Sequence, residues 1–123
     1  MSADEHIEYD VFAQVDIRAG VIVDVQPFPR ARKPSHKIQV DFGPDFAAAQ
    51  GTPEGTRWSS AQTAGNHSEA DLLGRQVLAV VNFKPRNIAG FSSEILILGV
   101  TGADGELDLL TPSRPATLGS RVY

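Results

Sequence analysis

Short apolar runs separated by proline and glycine recur along this chain, with no amphipathic stretch of helix length between them. At residues 21–26 and 37–42, apolar side chains alternate with polar ones, which is the two-residue period of a strand with one buried face. Residues 76–83 are apolar on both faces, which is typical of a central strand, and residues 95–98 have the same character. Together with a strand candidate at residues 56–60, these runs predict an all-β, five-stranded barrel with short helical turns.

Cap and turn signals lie between these runs. Ser-Glu-Ala-Asp at residues 68–71 has the pattern of a capping box, and it predicts one helical turn that ends near Gly74. Asp-Gly at residues 104–105 precedes an apolar run at residues 107–110, which predicts a closing hairpin. Residues 43–55 contain two prolines and few apolar anchors, so we expect a mobile excursion there.

Composition places the chain in a broad class. With 123 residues it is about one domain long, and we predict that residues 1–123 form a single domain. The absence of cysteine excludes disulfides and thiolate metal ligands. The N-terminus is acidic and polar, and no apolar run approaches about twenty residues, so we expect neither a secretory signal nor membrane insertion. The expected location is cytoplasmic.

The positive charges are segregated along the chain, although the net charge is -4. Residues 25–40 contain no acid and four basic side chains, namely Arg30, Arg32, Lys33 and Lys37. Residues 72–93 contain no acid and three basic side chains, namely Arg75, Lys84 and Arg86. If the two stretches meet in space, an acidic protein carries a basic face that suits a polyanion. The alternative is that these charges only solvate loops.

The second basic stretch contains a stiff cationic corner. Lys84 and Arg86 flank Pro85, which fixes its own backbone and restricts that of Lys84. Large apolar groups and neutral polar groups surround the corner, namely Phe83, Ile88 and Phe91 with Asn82, Asn87, Ser92 and Ser93. Cations beside aromatic faces suit the phosphates and bases of nucleic acid. An apolar crevice with a cationic rim also suits an extended polypeptide, so composition alone leaves both ligand classes open.

Motifs for covalent chemistry and metal binding are missing from the sequence. The three histidines lie about thirty residues apart without paired ligand spacing, at His6, His36 and His67. There is no nucleophile elbow and no phosphate-binding glycine motif. We therefore expect no enzyme activity, no catalytic residue, no metal and no cofactor. Trp58 is a candidate to stack on a base or a peptide side chain, although a lone tryptophan more often packs in the core.

Four segments together resemble one family. They are Val-Asp-Ile-Arg-Ala-Gly at residues 15–20, Pro-Arg-Ala-Arg-Lys-Pro at residues 29–34, Ser-Ser-Ala-Gln at residues 59–62, and residues 82–99. In these segments the chain is similar to the CsaA export-related chaperones, which belong to the wider tRNA-binding domain family. The likeness covers nearly the whole chain in order, and residues 43–55 look like an insertion. The resemblance implies an OB-fold barrel and a homodimer.

In the wider family, tRNA is met by a basic Lys-Pro-Arg corner, by polar neighbours and by a Ser-Glu-Gly-Met segment. Carried over by resemblance, the tRNA-binding residues are Lys84 and Arg86, with Asn82 and Ser93 as polar partners and Arg32, Lys33 and Lys37 as flanking contacts. After Ser93 and Glu94 this chain has Ile95 and Leu96 where tRNA binders have Gly-Met. That departure is the CsaA variant, and it favours polypeptide over tRNA.

The CsaA resemblance implies an ATP-independent, homodimeric molecular chaperone that binds unfolded or export-bound preprotein segments. The expected peptide-binding residues are Phe83, Ile88, Phe91 and Trp58. The alternative function is a tRNA-binding protein that recognises tRNA shape through the basic corner. A third class, a structural subunit of a larger complex, predicts an inert homodimer with one fixed partner.

Overall fold

A computed structural model describes residues 5–123. The first four residues lie outside the described part, and the expectation of no secretory signal rests partly on them. The helices and strands follow in the order α1 (Tyr9–Ala13), β1 (Ile17–Pro27), β2 (His36–Asp41), α2 (Gly43–Gln50), β3 (Thr56–Ala61), α3 (Glu69–Leu72), β4 (Gln76–Val80), β5 (Arg86–Ile88), β6 (Phe91–Ser93), β7 (Leu96–Ile97), β8 (Gly99–Thr101) and β9 (Leu107–Leu109). Between residues 5 and 123, no helix is long and apolar enough to span a membrane.

Five strands form an antiparallel sheet in the order β3-β2-β1-β4-β7. The long strand β1 pairs with β4 through its first half and with β2 through its second half, and Val21 is the residue at which the partner changes. The sheet closes where the backbone before β7 meets β3. There the Glu94 N–H donates to the Trp58 carbonyl at 2.8 Å, and Ser59 Oγ donates to the Ile95 carbonyl at 3.1 Å. The predicted five-stranded barrel is therefore confirmed.

One apolar cluster fills the barrel. The alternation predicted for β2 places Ile38 and Val40 fully inside, while Lys37 and Gln39, which alternate with them, stay partly exposed. The largest fully buried side chain is Phe42. Neighbouring β1 approaches this cluster so closely that a Cβ on Gly20 would lie 2.5 Å from Val40 Cγ1. A side chain at that position would therefore displace the core, which explains why glycine occupies it.

The expectation of a mobile excursion at residues 43–55 is wrong for its first eight residues. They form α2, which has proline in its first turn and ends at Gly51 with a left-handed φ of 67°. Phe46 is 5% exposed, and its ring centroid lies 5.0 Å from that of Phe42. Phe46 thus attaches this helix to the core together with Ala47, which is also buried, and three consecutive alanines supply the helix propensity.

The shorter signals are also resolved by the structure. Ser68 and Asp71 form the predicted capping box, with reciprocal hydrogen bonds of 3.1 Å, and Gly74 follows α3 with a φ of 84°. The predicted hairpin forms between β8 and β9. The strand predicted at residues 95–98 is confined to β7, because the Ile95 carbonyl accepts from Ser59 on β3 instead of joining the β4 ladder.

Candidate functional site

The cationic corner leads into a hairpin of β5 and β6 that lies over β3. Its turn residues Ala89 and Gly90 both have positive φ, of 50° and 84°, as a tight two-residue hairpin turn requires. The Asn87 side chain supports the turn, because its Oδ1 accepts from the Gly90 N–H at 2.9 Å. The strand pairing sets Arg86 opposite Ser93 and Ile88 opposite Phe91. Arg86 and Ile88 therefore project from the same face of β5.

Side-chain hydrogen bonds hold the hairpin on the barrel. Ser93 is 8% exposed, and its Oγ accepts from the Ser60 N–H at 3.0 Å. Glu94 Oε1 accepts from the Trp58 N–H at 2.9 Å. Two polar groups next to the corner are thus used to dock the hairpin on β3.

Lys37 lies in an aromatic clamp between the basic loop after β1 and the hairpin. Its Nζ is 5.0 Å from the ring centroids of both Phe28 and Phe91. The two rings meet edge to face at 5.4 Å, and Trp58 packs on Phe91 in the same way at 6.1 Å. Trp58 is therefore half-buried against the hairpin. It does not lie in the core, where a lone tryptophan is more often found.

We predict that Lys37→Met lowers the free energy of unfolding by about 1 kcal/mol, because it keeps the apolar stem and removes two cation–π contacts. Urea denaturation monitored by Trp58 fluorescence measures the change. Lys33→Met is the matched control, since Lys33 is an exposed cation nearby in the sequence that lies over no ring. Equal effects of the two substitutions would show that the clamp does not stabilise the hairpin.

A continuous groove runs along the face of β5 that carries Arg86 and Ile88. It consists of two hollows, of about 380 Å³ and about 620 Å³, which share Ser60, Arg86, Ile88 and Leu96. The first, here called the apolar hollow, also has Phe83, Lys84 and Ile95 in its walls. The second, here called the basic hollow, has Arg32, Lys33, Ser35, Gln62 and Thr101 around a floor that includes Ile97 and Leu109. The groove is therefore apolar at its base and polar at its rim.

The two basic stretches of the sequence meet at this groove. Arg32 and Lys33 of the first stretch line the basic hollow together with Arg86 of the second. Glu94 is the sole acid among the described residues that line either hollow. Arg32, Lys33, Lys84 and Arg86 are all exposed. An acidic chain thus presents a local cationic surface, as the charge segregation predicted.

The structure brings most of the predicted site residues to the groove and leaves four outside its walls. Those in the walls are Phe83, Ile88, Lys84, Arg86, Ser93, Arg32 and Lys33. Trp58, Phe91 and Lys37 belong to the clamp behind the hairpin. Asn82 is bound elsewhere, since its Oδ1 accepts from the Asp16 N–H at 2.9 Å and its Nδ2 donates to the Gln14 carbonyl at 2.8 Å.

Among the lining residues that were not predicted as site residues, Leu96 is an exposed apolar one. It is 44% exposed and belongs to both hollows. The sequence does mark this position, because Ile95 and Leu96 replace the Gly-Met of tRNA binders. That replacement was taken only as an argument for polypeptide over tRNA. Leu96 and Phe83 together expose an apolar patch to water, and such patches are typical of binding sites.

His36 lies at the root of the basic loop, at the start of β2. It is 6% exposed, and its Nδ1 is 2.7 Å from Thr63 Oγ1. Burial lowers the pKa of His36 from its ordinary value, the negative charge of Glu69 opposes this shift, and His67 adds to it.

We predict that the protein loses stability as the pH falls through the ordinary histidine value of 6.5. In that range the unfolded chain binds a proton that native His36 does not, so the free energy of unfolding rises with pH and falls on acidification. Urea denaturation between neutral and mildly acidic pH measures the slope. His36→Asn should flatten it, whereas His67→Asn removes only the smallest of the three contributions to the pKa shift and should change it less. An unchanged slope in His36→Asn would assign it to other groups.

The fold and the groove define a class of protein: a small closed β-barrel that presents an apolar, cation-rimmed binding surface beside a docked hairpin. A family model described as "Putative tRNA binding domain" matches residues 17–121, and it describes a binding domain rather than a catalytic one. The chain belongs to this tRNA-binding domain family.

Within the family the chain is similar to CsaA proteins, which confirms the resemblance read from the sequence. The CsaA chaperone structure from Picrophilus torridus is 38% identical, with a TM-score of 0.82 over 96% of this chain and 100% of that one. The CsaA chaperone structure from Bacillus anthracis is 33% identical, with a TM-score of 0.82 over 97% of this chain and 100% of that one. The methionine–tRNA ligase of Bacteroides fragilis is 32% identical over 117 residues, which are 95% of this chain and 16% of the ligase.

Proposed function

We propose that this protein is a CsaA-type chaperone that holds unfolded or export-bound polypeptides in the groove without ATP, in the cytoplasm, with residues 1–123 acting as one domain. The observation that carries the proposal is the exposed apolar wall of the groove. Phe83 and Leu96 are 53% and 44% exposed, and Ile88, which is partly buried, lies beside them. Apolar surface with a polar rim is typical of a site for another chain. The likeness to two proteins described as CsaA chaperones supports the same reading.

A second candidate function is tRNA binding, and the meeting of the two basic stretches favours it. Lys84, Arg86, Arg32 and Lys33 line one continuous surface, which suits successive phosphates. The family description and the similarity to methionine–tRNA ligases support this candidate. The cations would recognise the shape of tRNA rather than its sequence, since phosphate contacts position a ligand without reading bases.

Two measurements on the purified protein separate the candidates. A chaperone slows aggregation of a denatured client in the absence of ATP and binds peptides from a preprotein library. A tRNA binder shows an affinity that falls steeply with salt, by a log-log slope of about -0.7 for each single-strand-type phosphate contact. Lys84→Ala combined with Arg86→Ala should then remove tRNA binding. Failure in the aggregation and peptide assays would refute the chaperone, and a flat salt dependence would refute the tRNA binder.

We also propose a homodimer formed through the chain termini. No residue of α1 is buried, and Ile7, Tyr9 and Val11 are 64%, 68% and 48% exposed. Arg121 of the C-terminal segment donates to the Ala13 carbonyl at 2.6 Å, so α1 and the C-terminal segment lie side by side. Burial against a second copy would stabilise a five-residue helix that is too short to persist by itself. A monomeric mass in light scattering at micromolar concentration would contradict this arrangement.

A further inference from the structure

The two hollows of the groove differ in the chemistry of their walls. Around the apolar hollow, Phe83, Ile88, Ile95 and Leu96 supply hydrocarbon surface. Around the basic hollow, the exposed side chains of Arg32 and Lys33 lie at the rim with those of Gln62 and Thr101. Arg86 belongs to both hollows, so the groove passes from apolar walls to cationic walls without interruption.

The cations of the groove have no carboxylate partners within the described part of the chain. Ion pairs among residues 5–123 all involve Asp16, which pairs with Arg18 and Arg121 away from the groove. Among the described residues, Glu94 is the one acid in the groove wall. Its Oε1 already accepts a hydrogen bond from the Trp58 N–H. Four exposed cations, Arg32, Lys33, Lys84 and Arg86, therefore face the groove with their charge available to a ligand.

The aromatic rings near the groove favour a polypeptide over stacked bases. Phe28, Phe91 and Trp58 pack edge to face on one another, and Lys37 lies over two of these rings. Their faces are therefore largely used within the protein, which leaves Phe83 as the exposed ring among the described groove residues, whereas single-stranded nucleic acid needs several free aromatic faces for stacking. The groove offers mainly aliphatic side chains in their place, which suit the apolar side chains of a peptide.

Building on the proposed function, we infer that the groove selects extended polypeptide segments in which acidic side chains lie close to apolar ones. The apolar side chains occupy the apolar hollow, and the acidic side chains reach Arg86, Arg32 and Lys33 in the basic hollow. An extended segment suits this division, because at about 3.3 Å per residue a few residues reach from one hollow into the next. Segments that carry lysine in place of the acids are rejected by like-charge repulsion.

Three labelled peptides with the same apolar residues and length test this inference on the full chain. Their polar positions are filled with aspartate, serine or lysine, and fluorescence anisotropy measures each affinity. We expect the order aspartate, serine, lysine, with about tenfold or more between the extremes at low salt, since each exposed ion pair changes affinity by a factor of roughly two to five. Added salt should compress the series, because exposed charges are screened.

A pair of charge variants locates the selectivity. Arg32→Gln with Lys33→Gln should reduce the preference for the aspartate peptide several-fold and leave the serine peptide unchanged. Arg30→Gln with Arg114→Gln is the matched control, because these two arginines are exposed and line neither hollow. Equal loss in both variants would overturn the assignment to the basic hollow.

The serine peptide separates failure of the inference from failure of the proposed function. If it binds and the three affinities are equal, the charge selectivity is refuted and the chaperone proposal stands. If none of the peptides binds, both are refuted. If tRNA binds with a steep salt dependence and no peptide binds, the groove is a nucleic-acid site.

Discussion

Replacement of both Phe83 and Leu96 by glutamine is expected to weaken peptide binding about 30-fold and to abolish protection of a denatured client. The two side chains are 53% and 44% exposed in the free protein, so a bound peptide removes the remaining half of each from water. Full burial of such a side chain contributes about 1.5–3 kcal/mol. Burial of the exposed half of each side chain by the peptide therefore contributes about 1 kcal/mol to binding. Their combined loss, about 2 kcal/mol, corresponds to the stated change in dissociation constant.

The matched control for this variant is Val23→Gln with Val100→Gln. These valines are 43% and 50% exposed and line neither hollow, so the same kind of change is made outside the groove. Peptide affinity should remain within about twofold of the wild type, a difference of about 0.4 kcal/mol. Anisotropy titration measures both variants, and thermal unfolding checks that neither has lost its fold. Equal weakening by both pairs would mean that the groove is not the peptide site.

Under the tRNA-binding alternative, the Phe83 and Leu96 variant keeps its affinity for tRNA, because all four groove cations remain.

Phe42→Ala is expected to lower the free energy of unfolding by about 3–5 kcal/mol, a large share of the roughly 5–15 kcal/mol that stabilises a typical domain. Phe42 is 0% exposed and packs on Phe46, and the strand that carries Gly20 lies against its ring. Removal of the ring therefore leaves a cavity that the closed barrel cannot fill. The attachment of α2 to the core is lost at the same time.

Phe83→Ala is the control, since it makes the same chemical change at a phenylalanine that is 53% exposed. We expect it to cost less than about 1 kcal/mol, because little buried contact is lost. Urea denaturation of the two variants measures the difference. If both substitutions lower the free energy of unfolding equally, Phe42 does not pack at the centre of the barrel.

The barrel itself was predictable because its signals are local. In β2, Ile38 and Val40 alternate with polar residues, and that two-residue period determines which face is buried without reference to the rest of the chain. The capping box at Ser68 and Asp71 is local in the same sense. By contrast, α2 was missed because its burial depends on distant parts of the chain. Its helix propensity is modest over eight residues, and Arg57 of β3 lies over the Phe46 ring at 5.2 Å while Gly119 approaches Phe46 from the C-terminal segment.

The site was partly predictable for a related reason. The cationic corner and its apolar neighbours are adjacent in sequence, so Lys84, Arg86, Phe83 and Ile88 were found together. The roles of Lys37 and Phe91 were not found, since they meet only when β2 and the hairpin pack against each other. Asn82 also required the fold, because its hydrogen bonds are made to the connection between α1 and β1.

Local patterns in the sequence were enough to place five barrel strands along the chain and to show that positive charge is concentrated in two stretches. Periodicity and composition are properties of neighbouring residues, so both can be read without knowledge of the fold. The fold was needed to show that the two basic stretches share one groove and that Leu96 lines both of its hollows. It was also needed to show that Phe91 packs against Phe28, Trp58 and Lys37. Each of these facts depends on contacts between distant parts of the chain, which form when closure of the barrel brings β3, β7 and the hairpin together.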